Sequence, residues 1–185
     1  MDNGASSYRR FLDGDDTGLA EIVREYSDGL TLYLCGIVND FSTAEELMEE
    51  TLFKLITKKP KYRSAYSFKT WLYTIGRHVA IDYLRRQKRA DISLNELEST
   101  AGDRFDLEQN YLVEEQKIVL HQALNRLHTE YRQVLWLLYF EDLSHAETAA
   151  VMGKTSRQMK NLVFRAKNAL RSELEKEGFV YEELR

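Results

Sequence analysis

The chain has 185 residues, enough for one large or two small domains, and 43% of them are apolar, which supports a packed core. Its net charge of −4 argues against a general nucleic-acid coat protein, and its single cysteine, Cys35, excludes an internal disulfide. No apolar run is long enough to span a membrane and the N-terminus lacks the features of a signal peptide, so we expect a cytoplasmic protein without membrane insertion.

The first half of the chain predicts a series of helices. A short helix is expected within residues 5–15, and apolar residues at helical spacing predict a long helix from Leu19 to Val38. Ser42 with Glu45 has the pattern of a capping box, which predicts the start of the next helix. The outward face of that helix carries four acidic residues: Glu45, Glu46, Glu49 and Glu50. The helix dipole explains acids in a first turn, but four together also suit docking to a basic partner.

Residues 58–67 interrupt the helical pattern with the only proline and combine four cations with two tyrosines. Such a mixture is typical of single-stranded DNA binding, because cations follow the backbone and rings stack on exposed bases. A plain basic loop explains this stretch equally well. Ser67 is then expected to cap a long helix that runs into the cationic sequence R-R-Q-K-R at residues 85–89. Four cations in five residues exceed what the dipole at a helix C-terminus requires.

Residues 91–110 contain six acids, one arginine and several turn-forming residues. A loop of this length is unusual inside a compact domain, so the stretch is predicted to be a linker. The sequence therefore predicts an all-α protein with two small helical domains, residues 1–90 and 111–185, joined by a flexible acidic linker.

Beyond the linker, and after two more predicted helices, residues 142–171 predict a helix-turn-helix. Two capping-box patterns, Ser144 with Glu147 and Thr155 with Gln158, open its two helices. A glycine lies between them, where a helix end favours a residue that tolerates positive φ.

The second helix of this motif has one strongly basic face. From residue 154 to residue 171 there are six basic residues and no acidic residue, whereas an ordinary solvated face mixes both signs. Arg and Lys can read guanine, Asn can read adenine, and an aromatic ring can pack on a thymine methyl group. A packing helix with incidental lysines is the simpler alternative. The helical projection places outward Arg157, Lys160, Asn161, Phe164, Asn168 and Arg171, with Arg165 at the edge.

Four segments in order resemble those of the extracytoplasmic-function sigma factors, the two-domain form of the sigma-seventy class of bacterial transcription factors. V-N-D-F-S-T-A-E-E-L-M-E-E-T-L-F-K-L at residues 38–55 resembles the helix that grips the clamp of core RNA polymerase. F-K-T-W-L-Y-T-I-G-R-H-V-A-I-D-Y-L-R-R at residues 68–86 resembles the segment that reads and opens the minus-ten element. The linker takes the place of the acidic connector of that family. L-S-H-A-E-T-A-A-V-M-G-K-T-S-R-Q-M-K-N-L-V-F-R-A-K-N-A-L at residues 143–170 resembles the reader of the minus-thirty-five element.

The resemblance implies three sets of site residues. The set for polymerase docking is Asp40, Glu45, Glu46, Met48, Glu49, Glu50 and Phe53. The set for minus-ten binding and melting is Lys61, Tyr62, Arg63, Tyr66, Lys69, Arg77, His78, Arg85 and Arg86. The set for minus-thirty-five reading is Ser156, Arg157, Lys160, Asn161, Phe164 and Arg165. The chain departs from the family pattern at His78 (usually Asn), Thr148 (usually Ile) and Leu162 (usually basic).

The resemblance also implies the function: a transcription initiation factor that brings core RNA polymerase, through its clamp and flap regions, to promoter DNA. It implies an anti-sigma factor as a further partner, and no catalytic residue, cofactor, metal or small-molecule substrate. The alternative is a helix-turn-helix regulator that binds an operator as a dimer, which leaves the acidic helix and the tyrosine-containing loop unexplained. An enzyme fits least, because the four histidines are scattered and no nucleophile motif, metal spacing or phosphate loop is present.

Overall fold

The structure of the chain is a computed structural model in which residues 3–62, 65–93, 120 and 122–176 are described. Within these residues the ordered structure is helical and contains no strand, so the all-α prediction is confirmed. The helices are α1 (Asn3–Leu12), α2 (Thr17–Val38), α3 (Phe41–Lys58), α4 (Phe68–Ser93), α5 (Thr129–Tyr139), α6 (His145–Met152) and α7 (Ser156–Lys176); residues 122–126 are helical as well. In the described part of the chain, no helix combines the length and apolarity needed to cross a bilayer.

Helices α1 to α4, here called the N-terminal half, surround one apolar core. Its fully buried side chains are at helical spacing on each element, as an amphipathic stripe requires. An aromatic cluster attaches α1 and the loop before α4 to this core: the ring of Tyr8 lies 5.3 Å from that of Trp71, and the ring of Tyr62 lies 5.4 Å from that of Trp71. The Tyr8 hydroxyl donates a hydrogen bond of 2.8 Å to the carbonyl of Pro60, and burial raises the pKa of Tyr8 to about 12. The loop that carries Pro60 is therefore held against the bundle.

The start of α3 differs from the sequence prediction. Asp40, and not Ser42, is the N-cap: its carboxylate accepts a 2.7 Å hydrogen bond from the backbone N–H of Thr43. Hydrogen bonds from the Thr43 side chain and from this N–H lower the pKa of Asp40. Because α3 begins at Phe41, Ser42 already lies in the first turn and cannot be the cap. The cap is possible at this position because Asn39 takes a left-handed conformation, with φ of 61°, and ends α2.

Helices α5 to α7, here called the C-terminal half, contain the predicted helix-turn-helix. The Ser144–Glu147 capping box is present, and Gly153 ends α6 with a φ of 62°. Thr155 and Gln158 exchange the hydrogen bonds of the second predicted box. The side of α7 opposite its predicted outward face is buried through Met159, Leu162, Val163 and Ala166, and Leu170 on the same side is partly buried.

The two halves pack against each other, with α4 against α6 and α2 against α5. Tyr73, Arg132 and Gln133 are buried, although two of them are charged or polar side chains. Each faces the opposite half, which the periodicity of a single helix does not reveal. Helix α4 extends through Ser93, into the stretch predicted as a linker, and the rest of the predicted linker lies outside the described residues.

Candidate nucleic-acid interface

The outward face of α7 displays the predicted minus-thirty-five set. Ser156, Arg157, Lys160, Asn161, Phe164 and Arg165 are all exposed. Phe164 is 68% exposed, which is unusual for a phenyl ring among cations and is explained if the ring packs against a ligand surface. The opposite side of the same helix is buried, so packing fixes the direction in which these side chains point.

The six basic residues of this segment do not have the same surroundings. The Lys154 ammonium lies 2.9 Å from the Glu130 carboxylate, and the Lys167 ammonium lies 5.4 Å from the centre of the Tyr139 ring. These two lysines are therefore engaged within the C-terminal half. The guanidinium groups of Arg157 and Arg165 and the ammonium group of Lys160 belong to exposed side chains on the face that carries Phe164.

The predicted loop before α4, which combines cations with two tyrosines, exposes one tyrosine ring to solvent. Tyr66 is 43% exposed and Lys61 is exposed. Tyr62 instead packs in the aromatic cluster, and its hydroxyl donates a 2.8 Å hydrogen bond to the carbonyl of Tyr66. Tyr62 thus ties the loop to the bundle, and Tyr66 is the tyrosine of this loop whose ring is exposed. Arg63 lies outside the described residues.

The predicted minus-ten residues of α4 divide into two groups. His78, Arg85 and Arg86 are exposed; Arg85 lies 3.5 Å from the Asp82 carboxylate and Arg86 lies 3.7 Å from the Glu50 carboxylate. A cleft of about 350 Å³ opens beside them and is lined by Glu50, Lys54, Asp82, Arg85, Arg86 and Arg89.

Lys69 and Arg77 form the second group and face the C-terminal half. The Lys69 ammonium lies 2.7 Å from the Glu141 carboxylate, and the Arg77 Nε–H donates a 3.1 Å hydrogen bond to the side-chain oxygen of Gln133. Neither contact was predicted from the sequence, because the partners are separated by 72 and 56 residues.

Glu147 connects the two halves in addition to closing its capping box. One carboxylate oxygen accepts hydrogen bonds from Ser144, and the other accepts bonds of 2.8 Å from Ser67 and 3.0 Å from Thr70 at the start of α4. Burial alone would raise the pKa of the Glu147 carboxyl, but these hydrogen bonds outweigh it and lower that pKa to about 2. The capping pattern was visible in the sequence, and the contact with α4 was not.

The predicted docking face on α3 is acidic with an apolar centre. Glu45, Glu46 and Glu49 are exposed, and Phe53 is 62% exposed on the same helix. Glu50 lies 3.0 Å from Lys54, Met48 is partly buried, and the Asp40 carboxylate is used as the N-cap. All seven predicted docking residues are thus exposed or partly exposed.

Comparison with known proteins identifies the family. Residues 22–90 match the Sigma-70 region 2 family, and residues 117–170 match the family described as Sigma-70, region 4. The "Probable RNA polymerase sigma-C factor" of Mycobacterium bovis is 30% identical over 141 residues, which cover 75% of this chain and 74% of that protein. The "ECF RNA polymerase sigma factor SigM" of Bacillus subtilis is 26% identical over 152 residues, covering 82% of this chain and 92% of that protein.

A solved structure shows the same fold. The sigma factor RpoE from Bartonella quintana, crystallised with the anti-sigma factor NepR, is similar with a TM-score of 0.67 and 25% identity, covering 84% of this chain and 96% of that one. The chain belongs to the sigma-70 family of RNA polymerase sigma factors, in its extracytoplasmic-function group.

Proposed function

We propose that this sigma factor reads the minus-thirty-five duplex with the outward face of α7 and captures melted minus-ten DNA with the loop before α4 and with α4 itself. The observation that carries the proposal is the exposed basic face of α7, with Phe164 68% exposed at its centre. A face of this kind has both charges for phosphates and side chains for base edges.

Reading of the duplex requires rigid side-chain placement. The two capping boxes and Gly153 set the angle between α6 and α7, and the buried stripe of α7 fixes its rotation. Arg165 and Lys160 can then donate to guanine, Asn161 can pair with adenine, and the Phe164 ring can pack on a thymine methyl group.

Capture of the melted strand uses a different mechanism. Unstacking a base costs a few kcal/mol, which must be offset by contacts made only in the open state. The exposed ring of Tyr66 offers a stacking platform, while Lys61, Arg85 and Arg86 are placed to follow the phosphate backbone. His78 stands exposed on α4, where its imidazole can hydrogen-bond a base edge.

The acidic face of α3 is proposed to dock on the clamp of core RNA polymerase, with Phe53 as its apolar anchor. The N-terminal half would then act as the docking and melting domain and the C-terminal half as the duplex reader. In this proposal the factor works in the cytoplasm and contributes no catalytic residue, cofactor or metal, because the chemistry belongs to the polymerase. An anti-sigma factor is a proposed partner, since the similar structure of RpoE was solved with one.

Run-off transcription tests this function. The purified chain is mixed with bacterial core RNA polymerase and with promoter DNA from its own operon, and transcripts are compared with core alone and with the chain alone. Specific transcripts that require both components are expected. Tight sequence-specific binding to duplex by the chain alone, with no association with core polymerase, would instead indicate an operator-binding regulator.

A further inference from the structure

The N-terminal half contains a pocket that receives Glu141 of the C-terminal half. Glu141 is 8% exposed; its carboxylate lies 2.7 Å from the Lys69 ammonium, which also donates a 2.9 Å hydrogen bond to the Glu141 carbonyl. The Trp136 indole N–H donates a 3.1 Å hydrogen bond to the same carboxylate, and Tyr73 is a further hydrogen-bond partner. A carboxylate with this many donors is held in one geometry.

Gly29 on α2 makes room for this pocket. A Cβ atom at residue 29 would lie 2.6 Å from the Tyr73 hydroxyl and 2.8 Å from a Glu141 carboxylate oxygen, closer than such atoms approach. A side chain at residue 29 would therefore force the Tyr73 hydroxyl and the Glu141 carboxylate to move.

Other polar contacts surround the Glu141 pocket. Gln133 accepts hydrogen bonds from Arg77 at 3.1 Å and from Tyr33 at 3.5 Å, and Arg132 donates to the Asn39 side chain at 3.2 Å. Buried apolar residues of both halves belong to one cluster, so the interface combines these polar contacts with apolar packing. Mixed interfaces between domains of one chain commonly allow relative motion of the domains.

We infer that Glu141 is a latch that holds the chain in a self-inhibited closed state, in which Lys69 and Arg77 are bound by the C-terminal half and are withheld from DNA. The inference rests on the proposed function, in which α4 meets minus-ten DNA, and on the resemblance, which places Lys69 and Arg77 in the minus-ten set. While Glu141 and Gln133 hold these cations, a DNA phosphate cannot take the same positions. Docking on core polymerase would separate the halves and release both side chains together.

A closed state lowers the apparent DNA affinity of the chain by the fraction of molecules that are open. Loss of a hydrogen-bonded ion pair to a partly buried carboxylate is expected to raise that open fraction about tenfold. Binding of the chain alone to single-stranded minus-ten DNA should therefore tighten by about tenfold when the latch is removed, and less if the open state becomes fully populated.

The test compares full-length Glu141→Gln with wild type. Glutamine keeps the shape and an acceptor oxygen for Trp136, so the variant removes the charge that attracts Lys69. Glu130→Gln is the matched control, since Glu130 also pairs with a lysine at 2.9 Å, but within the C-terminal half. The radius of gyration is measured by small-angle X-ray scattering, and binding to the labelled non-template minus-ten strand is measured by fluorescence anisotropy. Glu141→Gln should show a larger radius and tighter binding, and Glu130→Gln should match wild type.

Gly29→Ala reaches the same pocket from the other half and should act in the same direction, because the added methyl group excludes the Glu141 carboxylate. Thermal unfolding by circular dichroism establishes that each variant is folded. Folded Glu141→Gln and Gly29→Ala proteins with unchanged radius or unchanged DNA affinity would overturn the latch.

Run-off transcription separates this inference from the proposed function. With saturating core polymerase, Glu141→Gln should transcribe as wild type does, because docking has already opened the chain. Wild type that directs transcription while both latch variants behave as wild type refutes only the latch. Wild type that gives no core-dependent transcript refutes the proposed function and the latch with it.

Discussion

The two surfaces that we assign to DNA differ in their state in the chain alone. The face of α7 that carries Arg165 and Phe164 is exposed and is complete within the C-terminal half. On α4, Lys69 and Arg77 are held by Glu141 and by Gln133. In the function that we propose, the first surface is ready for duplex DNA, and with the latch that we infer the second becomes complete only when the halves separate. A factor built in this way recognises single strands mainly after it has bound polymerase.

The largest loss of stability is expected for substitution of Glu147, because its carboxylate accepts hydrogen bonds from residues of both halves. Glu147→Ala should destabilise the chain by about 2 kcal/mol, since it removes the carboxylate that accepts hydrogen bonds from Ser67, Thr70 and Ser144. Ser144→Ala removes only the box and should cost about 1 kcal/mol. Urea unfolding of the two variants measures the difference. Equal losses would mean that the bonds to α4 contribute nothing to stability.

The next prediction concerns how α7 recognises bases of the minus-thirty-five element. Arg165→Ala should weaken transcription that depends on the minus-thirty-five element by about 1–3 kcal/mol, the discrimination given by a bidentate contact to guanine. Lys167→Ala is the control on the same helix, because the Lys167 ammonium lies over the Tyr139 ring. Run-off transcription on the natural promoter and on one with a scrambled minus-thirty-five element measures both variants. An equal loss on both promoters would show that Arg165 contacts only phosphate.

The reader on α7 could be predicted from the sequence because every signal for it is local. The Ser144–Glu147 and Thr155–Gln158 boxes, the glycine at residue 153 and the stripe through Met159 all lie within 30 residues of each other, and the structure contains each of them. The all-α fold followed from the same local patterns.

The contacts of α4 could not be predicted, because they depend on residues distant in sequence. Nothing near Lys69 indicates that Glu141 will lie beside it, and burial of Gln133 runs against its polarity. The N-cap of α3 was predicted two residues too late for a local reason. Asp40 and Ser42 are both favourable N-cap residues, and only the left-handed conformation of Asn39 decides between them. The inward position of Tyr62 could not be predicted either, because it depends on the packing of α1 and α4.

A smaller change in stability is expected for substitution of two fully buried threonines, Thr51 in the N-terminal half and Thr148 in the C-terminal half. The Thr148 hydroxyl has no hydrogen-bond partner among the described residues, whereas the Thr51 hydroxyl donates a 2.7 Å hydrogen bond to the Leu47 carbonyl. Thr148→Val should therefore stabilise the chain by about 1 kcal/mol, and Thr51→Val should destabilise it by about 1 kcal/mol. Thermal unfolding measures both variants. Loss of stability in Thr148→Val would show that this hydroxyl has a partner, such as a buried water.

The last prediction concerns the ionisation of Glu147, whose contribution to stability is complete at neutral pH and is lost only in acid. Hydrogen bonds lower its pKa to about 2 in the folded chain, whereas an unfolded glutamate titrates near pH 4.5. A carboxyl with a lowered pKa contributes stability that is complete above the unfolded value and is lost as the pH falls toward the folded value. The stability difference between wild type and Glu147→Gln should therefore be constant from pH 7 to about pH 5 and should shrink below about pH 4.5.

Urea midpoints of both proteins, measured at intervals from pH 7 to pH 3, test this dependence on pH. The comparison with Glu147→Gln is needed because Asp15, Glu21 and Asp40 also have lowered pKa values and contribute their own loss of stability in acid. Since those three carboxyls are the same in both proteins, their contributions cancel in the difference. A difference that stays constant down to pH 3 would mean that Glu147 ionises alike in the folded and unfolded chains, so its bonds to Ser67 and Thr70 would not favour the charged form.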